Sequence, residues 1–255
     1  MKSVLVTGSE GFIGKNLCDF LTDKGYYVER CDKKLGRNVM FLSEEHIFGT
    51  DFVVHLAAQT SVWNDDVYEI EEDNIRSFIH IFELCKKLNK RLIFASSSCA
   101  NNITSMYGLS KKFDEDYFNL YKYQNCVGIR FHNVYGINSR EDTLLGKCMS
   151  GKPVTLYNKG NNKRHFTYID DVCECILKAF TIEGGIYNCY NPEELTTLEF
   201  CQKVNEHITN IEYKVVDEKR DRDKEEQYID DKYINLNTDP TSVDDGLIDI
   251  YFKIF

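Results

Sequence analysis

The chain has 255 residues, of which 42% are hydrophobic, enough to bury the core of one large α/β domain or of a cofactor domain with a small cap. A formal net charge of -10 argues against nucleic acids and anionic membranes as partners. The ten cysteines form no C-x-x-C pair and no apolar run could span a bilayer, so we expect no metal site and a reduced, cytoplasmic location.

Strands and helices alternate along the first 136 residues. Short apolar runs predict strands at 3–6, 26–31, 51–56, 91–95 and 127–131. Apolar residues at helical spacing predict helices at 11–23, 74–88 and 108–123. This alternation predicts an α/β fold in which helices cover both faces of a parallel sheet.

After residue 136 the alternation ends. Helical spacing recurs at 143–150, 170–180 and 198–208, and the connections between these segments are polar. Residues 217–232 form a dense run of charges, DEKRDRDKEEQYIDDK. Its composition alone fits a solvated surface and a binding segment equally well.

The segment TGSEGFIG (7–14) follows a predicted strand and opens a predicted helix, which is the setting of a phosphate-binding turn. Gly8 permits the tight turn, Gly11 lets a pyrophosphate approach the backbone, and Gly14 lets the helix pack closely. The free N–H groups of the helix terminus favour an anion.

Asp32 ends the second predicted strand, where a carboxylate can accept hydrogen bonds from both ribose hydroxyls of NAD and would repel the extra phosphate of NADP. Lys33 and Lys34 follow it and could soften that preference. The alternative interpretation of Asp32 is a residue that only forms a turn.

Tyr107 and Lys111 are four residues apart and share a helix face. A nearby ammonium stabilises tyrosinate, so the phenol can exchange a proton with a substrate hydroxyl. Such pairs are common on helix surfaces, but Ser96, Ser97 and Ser98 end the preceding strand and can contribute a hydroxyl. Serine, tyrosine and lysine downstream of a dinucleotide turn form one constellation.

These features resemble the NAD-dependent epimerase/dehydratase branch of the extended short-chain dehydrogenase/reductase family. The resemblance includes HLAAQTSV (55–62), FASSS (94–98), IRFHNVYG (129–136), RHFTYIDDV (164–172) and DDGLIDIYF (244–252). It implies a Rossmann-type doubly wound parallel sheet in residues 1–136, which bind NAD and carry the catalytic residues. Residues 137–255 then form mainly a small C-terminal substrate-binding region, with segments around 165–190 returning to the Rossmann domain.

The resemblance implies a role for each matching position. Ser97 is the active-site serine, with Ser98 as the alternative register, Tyr107 is the base and Lys111 is its partner. The residues implied to bind NAD are Gly8, Gly11, Phe12, Ile13, Gly14, Asp32, Lys33, Asn38, Val39, Leu56, Ala57, Ala58, Asn74, Tyr107, Lys111 and Phe131. The residues implied to bind a nucleotide-diphosphate sugar are Ser98, Cys99, Asn133, Arg164, Arg220 and Asp223.

Within this family, a retained NAD favours reactions that take a hydride from the sugar and return it. Ser98 and Cys99 stand where family dehydratases carry an Asp-Glu pair, so we expect 4-epimerisation of an NDP-hexose through a transient 4-keto sugar. The alternatives are a 4,6-dehydratase, a 4-keto-6-deoxy-sugar epimerase/reductase that uses Cys99, and a non-catalytic NAD-sensing protein. The loops at 98–106 and 137–163 are shorter than is usual in the family, and His165 stands where Asp is usual after the arginine.

The family also pairs two helices across a two-fold axis, so the resemblance implies a homodimer through helices 74–90 and 108–124. The aromatic residues Tyr117, Phe118, Tyr121 and Tyr123 favour this contact over a helix that only covers its own sheet.

Overall fold

In the computed structural model, which describes residues 1–255, six strands form one parallel sheet. Its spatial order is β2 (Tyr27–Cys31), β1 (Ser3–Thr7), β3 (Phe52–His55), β4 (Arg91–Ser97), β5 (Cys126–Phe131) and β10 (Gly185–Cys189). The strand order reverses between β1 and β3, and this reversal leaves a crevice at the carboxyl ends of the strands, where ligands of such sheets bind. The predicted α/β class with a doubly wound parallel sheet is confirmed.

Helices cover both faces of the sheet because alternate strand residues face opposite sides. Val4 and Val6 belong to one apolar cluster, with α1 (Phe12–Asp23) and α7 (Ile169–Lys178). Leu5 belongs to the other, with α4 (Ser77–Lys87) and α5 (Met106–Tyr121). Burial on both sides accounts for the continuous apolar runs in the sequence.

The helix predicted to begin at Asn74 begins earlier, at Val67. Asp66 caps the backbone N–H groups of Tyr68 and Glu69 at 3.0 and 3.1 Å, and starts α3 (Val67–Ile70). A π-helical segment, Glu71–Arg76, then joins α3 to α4. The predicted start was wrong because apolar spacing does not detect a polar cap. The short α2 (Glu44–Phe48) was not predicted.

Beyond β5 the chain builds a smaller region beside the sheet. Its paired strands are β6 (Val134–Tyr135) with β9 (Thr167–Tyr168), β7 (Val154–Leu156) with β12 (Tyr213–Val215), and β8 (Lys163–His165) with β11 (Glu194–Thr196). Its helices are α6 (Leu144–Met149), α8 (Thr197–His207) and α9 (Val243–Ile254). Helices predicted at 143–150, 170–180 and 198–208 correspond to α6, α7 and α8.

One apolar core is shared between the sheet and the smaller region. A single cluster includes Val4 of β1, Leu145 of α6, Phe200 of α8 and Val243 of α9. The division at residue 136 is therefore not marked by a break in packing, and it stays a prediction. All ten cysteines are free thiols. None of the helices is both long and apolar enough to cross a membrane.

Candidate active site

A cavity of about 980 Å³ opens at the carboxyl ends of the sheet strands. It is lined by all the predicted site residues except Asn74: Gly8, Gly11, Phe12, Ile13, Gly14, Asp32, Lys33, Asn38, Val39, Leu56, Ala57, Ala58, Ser97, Ser98, Cys99, Tyr107, Lys111, Phe131, Asn133, Arg164, Arg220 and Asp223. Residues that are up to 215 positions apart in the sequence, from Gly8 to Asp223, therefore meet in one site.

The glycine turn between β1 and α1 has the shape that a dinucleotide requires. Gly8 has a φ of 68°, and a Cβ there would lie 2.6 Å from the backbone nitrogen of Ala57 at the end of β3. A Cβ on Gly14 would collide with the Gly8 carbonyl oxygen. Gly11 caps α1 without a side chain, so the first N–H groups of the helix stay free for an anion. This turn fits the pyrophosphate of NAD.

Asp32 is held rigidly at the end of β2. Its Oδ2 accepts a hydrogen bond from the Glu10 backbone N–H at 3.0 Å, and Oδ1 accepts one from the Lys34 N–H at 2.9 Å. Each carboxylate oxygen keeps a lone pair that can accept a ribose hydroxyl. The Lys33 ammonium forms an ion pair with Asp73, so its charge is already balanced. Both observations agree with a preference for NAD.

The asparagine predicted to contact the cofactor has a different position. Asn74 is 1% exposed and does not line the cavity. Its side chain accepts from the Gln59 backbone N–H at 2.7 Å, and donates to the Gln59 carbonyl and to Ser110 at 2.9 Å each. Since these contacts use its amide, Asn74 fixes the loop after β3 onto α5, and its contact with NAD stays a prediction.

Ser97 and Tyr107 come together because α5 packs closely against the loop that follows β4. A Cβ on Gly108 would lie 2.8 Å from the Cys99 carbonyl oxygen, so only a glycine allows this approach. Ser105 caps α5 by accepting from the Gly108 N–H at 3.1 Å, which places Tyr107 in the first turn. The structure thus brings Ser97 beside Tyr107, whereas Ser98 Oγ accepts from Gln227 Nε2 at 2.6 Å.

Several neighbours set the proton affinity of Tyr107. Burial raises the pKa of the phenol above its ordinary value, and the Cys99 thiol raises it further. The nearby Ser97 hydroxyl and the charge of Arg140 lower it. Ser97 and Arg140 therefore favour the tyrosinate that a base requires.

The residues predicted to bind the diphosphate also line the cavity. Arg164 is paired with Asp223, and its side chain is 12% exposed. The Arg220 guanidinium lies 3.9 Å from the ring centroid of Trp63 and 4.9 Å from that of Tyr157. Stacking fixes the plane of this arginine and leaves its N–H donors free for paired bonds to a phosphate. Part of the charged segment 217–232 therefore lines the cavity, as the resemblance implies.

Residues 224–228 also cover the short loop after β4. Lys224 donates to the Asn102 carbonyl, and the Asn101 side chain donates to the Tyr228 carbonyl at 3.3 Å. Both segments line the cavity, through Thr104 of the loop and through Lys224, Gln227 and Tyr228.

The cavity residues that sequence reasoning missed include Trp63, Arg140, Lys224 and Gln227. Lys224 and Gln227 lie next to the predicted Arg220 and Asp223, so the charge run itself was a usable signal. Trp63 directly follows HLAAQTSV. Arg140 lies on a loop without a recognisable pattern.

Known proteins resemble this chain along its whole length. Protein CapI of Staphylococcus aureus is 26% identical over an alignment that covers 99% of each chain. The structure of UDP-N-acetylglucosamine 4-epimerase from Methanobrevibacter ruminantium has a TM-score of 0.83 at 23% identity, covering 99% of this chain and 98% of that one. UDP-glucose 4-epimerase of Thermus thermophilus, solved in complex with NAD, has a TM-score of 0.81 at 23% identity and covers 98% of both.

Residues 4–189 match the NAD dependent epimerase/dehydratase family. The match runs from β1 to β10 and includes the glycine turn, Ser97, Tyr107 and Lys111. The dependence on NAD agrees with the prediction from the glycine turn and Asp32. The chain is a member of the NAD dependent epimerase/dehydratase family.

Proposed function

We propose that this protein is a nucleotide-sugar epimerase that inverts C4 of an NDP-hexose through a transient 4-keto sugar. The observation that carries the proposal is the meeting of Ser97, Tyr107 and Lys111 with a dinucleotide turn in one cavity. Relatives named as a putative UDP-glucose 4-epimerase and a probable UDP-glucuronate 4-epimerase support the reaction class. A non-catalytic sensor would not require the three catalytic side chains.

The cofactor end of the cavity is built from the turn and the strand ends. Gly8, Gly11 and the start of α1 would hold the pyrophosphate, Asp32 would hold the adenosine ribose, and Phe131 would line the nicotinamide end. Bound NAD supplies a hydride acceptor and donor for C4 of the sugar.

The chain itself moves the proton. Tyr107 Oη takes the proton of the C4 hydroxyl and later returns it, while the Ser97 hydroxyl donates a hydrogen bond to the same sugar oxygen. The Lys111 ammonium compensates the negative charge on the phenolate. All three side chains belong to β4 and the first turns of α5, so the backbone fixes their relative positions.

The substrate end recognises the nucleotide diphosphate. Arg220 and Arg164 donate to the phosphate oxygens, because a planar guanidinium matches their geometry. Asp223 accepts from the nucleotide ribose, and Asn133 contacts the phosphate. Arg164 and Asp223 are paired with each other, so each exchanges its partner when substrate binds.

Ion pairing of the carboxylates in the cavity favours epimerisation over dehydration. Dehydration needs a carboxylic acid beside the sugar, but Ser98 and Cys99 follow Ser97. Three of the cavity carboxylates, Asp73, Asp142 and Asp223, are paired with Lys33, Arg140 and Arg164. The second candidate is a 4-keto-6-deoxy-sugar epimerase/reductase, which is favoured by the position of Cys99 close to Tyr107.

The experiment incubates the purified protein with UDP-, dTDP- and GDP-hexoses and follows products by NMR. We expect a C4-inverted sugar from one of them. Tyr107→Phe should lower turnover by about 10²-fold or more and leave NAD binding intact, whereas the matched change Tyr121→Phe, on the exposed side of the same helix, should leave turnover intact. A 4-keto-6-deoxy product, or full activity of the Tyr107 variant, would contradict the proposal.

We also propose that the protein is a homodimer through α4 and α5. Leu109, Phe113 and Leu120 follow helical spacing on one side of α5, and Leu109 and Leu120 are exposed. The aromatic argument is weaker than the sequence suggested. Phe118 is buried in the core, and Tyr123 donates to the Cys85 and Lys90 carbonyls.

A further inference from the structure

A buried ion pair lies one helical turn beyond the proposed base. Lys111 Nζ and Asp114 Oδ2 are 3.1 Å apart, and the two side chains are 4% and 0% exposed. The other carboxylate oxygen of Asp114, Oδ1, is buried without a hydrogen-bond partner. Such a pair has a desolvation cost that apolar side chains of similar volume would avoid, so structure alone does not account for it.

Only one member of the pair reaches the site. Lys111 lines the cavity, whereas Asp114 does not. The carboxylate therefore touches neither substrate nor cofactor, and it acts through the ammonium that it binds.

Other ionisable groups lie near the pair, and each has a partner or an effect of its own. His55, at the end of β3, is kept neutral because burial and Lys111 lower its pKa to about 3. Glu115, the next residue on α5, is paired with Arg130. Cys99 beyond β4 and Arg140 beyond β6 act on Tyr107, in opposite directions. Asp114 is thus the one carboxylate paired with Lys111.

We infer that Asp114 is a positioning residue that fixes the Lys111 ammonium and sets how much of its positive charge reaches Tyr107. This inference rests on the proposed function, in which Tyr107 is the base. An ionised Asp114 cancels part of the lysine charge, and a protonated Asp114 releases it.

Two electrostatic effects agree with this role. The charge of the Asp114 carboxylate contributes to raising the pKa of Tyr107, so the carboxylate and the phenol are coupled. Burial raises the pKa of Asp114 to about 7, against the opposing effect of Lys111. The charge of Asp114 therefore changes near neutral pH.

The first test does not depend on turnover. The carboxyl ¹³C signal of Asp114, assigned by its loss in Asp114→Asn, is titrated in the parent protein and in Lys111→Met. We expect protonation near neutral pH in the parent and at higher pH in the variant, because loss of the cation favours the neutral acid. An identical midpoint in both proteins would overturn the inference and leave the proposed function standing.

The second test is the pH profile of kcat/KM. Tyr107 loses its proton above neutral pH, where Asp114 is ionised, so Asp114→Asn should move the acid limb to lower pH by on the order of one unit. Asp116→Asn is the matched control, because Asp116 pairs with Lys112 on the exposed face of the same helix; its acid limb should not move. An unmoved limb in Asp114→Asn beside a coupled NMR titration would make the pair purely structural and overturn the inference.

Discussion

Two buried histidines stay neutral throughout the physiological pH range. Burial lowers the pKa of His55 and of His132 to about 3. His55 shares a hydrogen bond of 2.8 Å with the Thr7 hydroxyl, which ties the end of β3 to the end of β1 beside the glycine turn. Protonation of His55 would therefore disturb the part of the site next to the glycine turn.

This burial predicts an acid-sensitive fold. A histidine whose pKa is depressed on folding contributes stability that is present above its unfolded value of about 6.5 and is lost as the pH falls towards about 3. Asp114 acts oppositely, because its raised pKa costs stability as the pH rises from 3.8 to about 7. A comparison with a variant separates the two effects.

We expect the free energy of unfolding of the parent to fall relative to that of His55→Asn between pH 6.5 and pH 4. Chemical denaturation at several pH values measures this difference. A parent-to-variant difference for His55 that does not depend on pH would show that burial does not suppress its protonation.

At the scale of elements, the two faces of α5 have different roles. Its inner side presents Tyr107 and Lys111 to the cavity, and its outer side exposes Leu109 and Leu120. Because the helix also packs on β4, a partner helix on the outer face would hold the catalytic side in place. In the proposed dimer, assembly and catalysis are linked through this one helix.

The dimer predicts a specific effect of a charge on that face. Leu120 is 74% exposed, so Leu120→Asp should fold normally but lower the fraction of dimer, because a carboxylate cannot be buried without a partner. Sedimentation velocity measures the change. Phe252→Asp, at a comparably exposed position on α9, should leave the dimer unchanged. A monomeric parent protein, or an unchanged Leu120 variant, would refute the dimer.

At the scale of the whole molecule, the sequence predicts the sheet and the cofactor end well. These predictions rest on local patterns: strand periodicity, the glycine turn and the Tyr107–Lys111 spacing. The elements that such patterns predict are present in the structure. The pairing of Arg164 with Asp223 depends on three-dimensional proximity, so no local pattern reports it. Lys111 and Asp114 have the i,i+3 spacing of a helical ion pair, but that spacing does not reveal that the pair is buried. The hydrogen bonds of Asn74 with Gln59 and Ser110 could not be predicted either, because its motif does not reveal which way its amide faces.

The substrate end was harder to predict because it is assembled from distant segments. Residues 216–242 contain no helix or strand, yet Arg220, Asp223, Lys224 and Gln227 from this stretch line the cavity. Composition alone could not distinguish this stretch from a solvated surface. The role of this stretch follows only from its contacts with the short loop after β4, which no sequence pattern predicts.

In the proposed reaction, the enzyme removes hydrogen from C4 of a nucleotide sugar and returns the same hydrogen to the opposite face of C4. The most direct test uses the NDP-hexose accepted by the protein, labelled with deuterium at C4, without any added reductant. We predict that NMR will find the C4 epimer with its deuterium still at C4. Loss of the label to solvent, or a labelled product that keeps its original configuration, would contradict the claim.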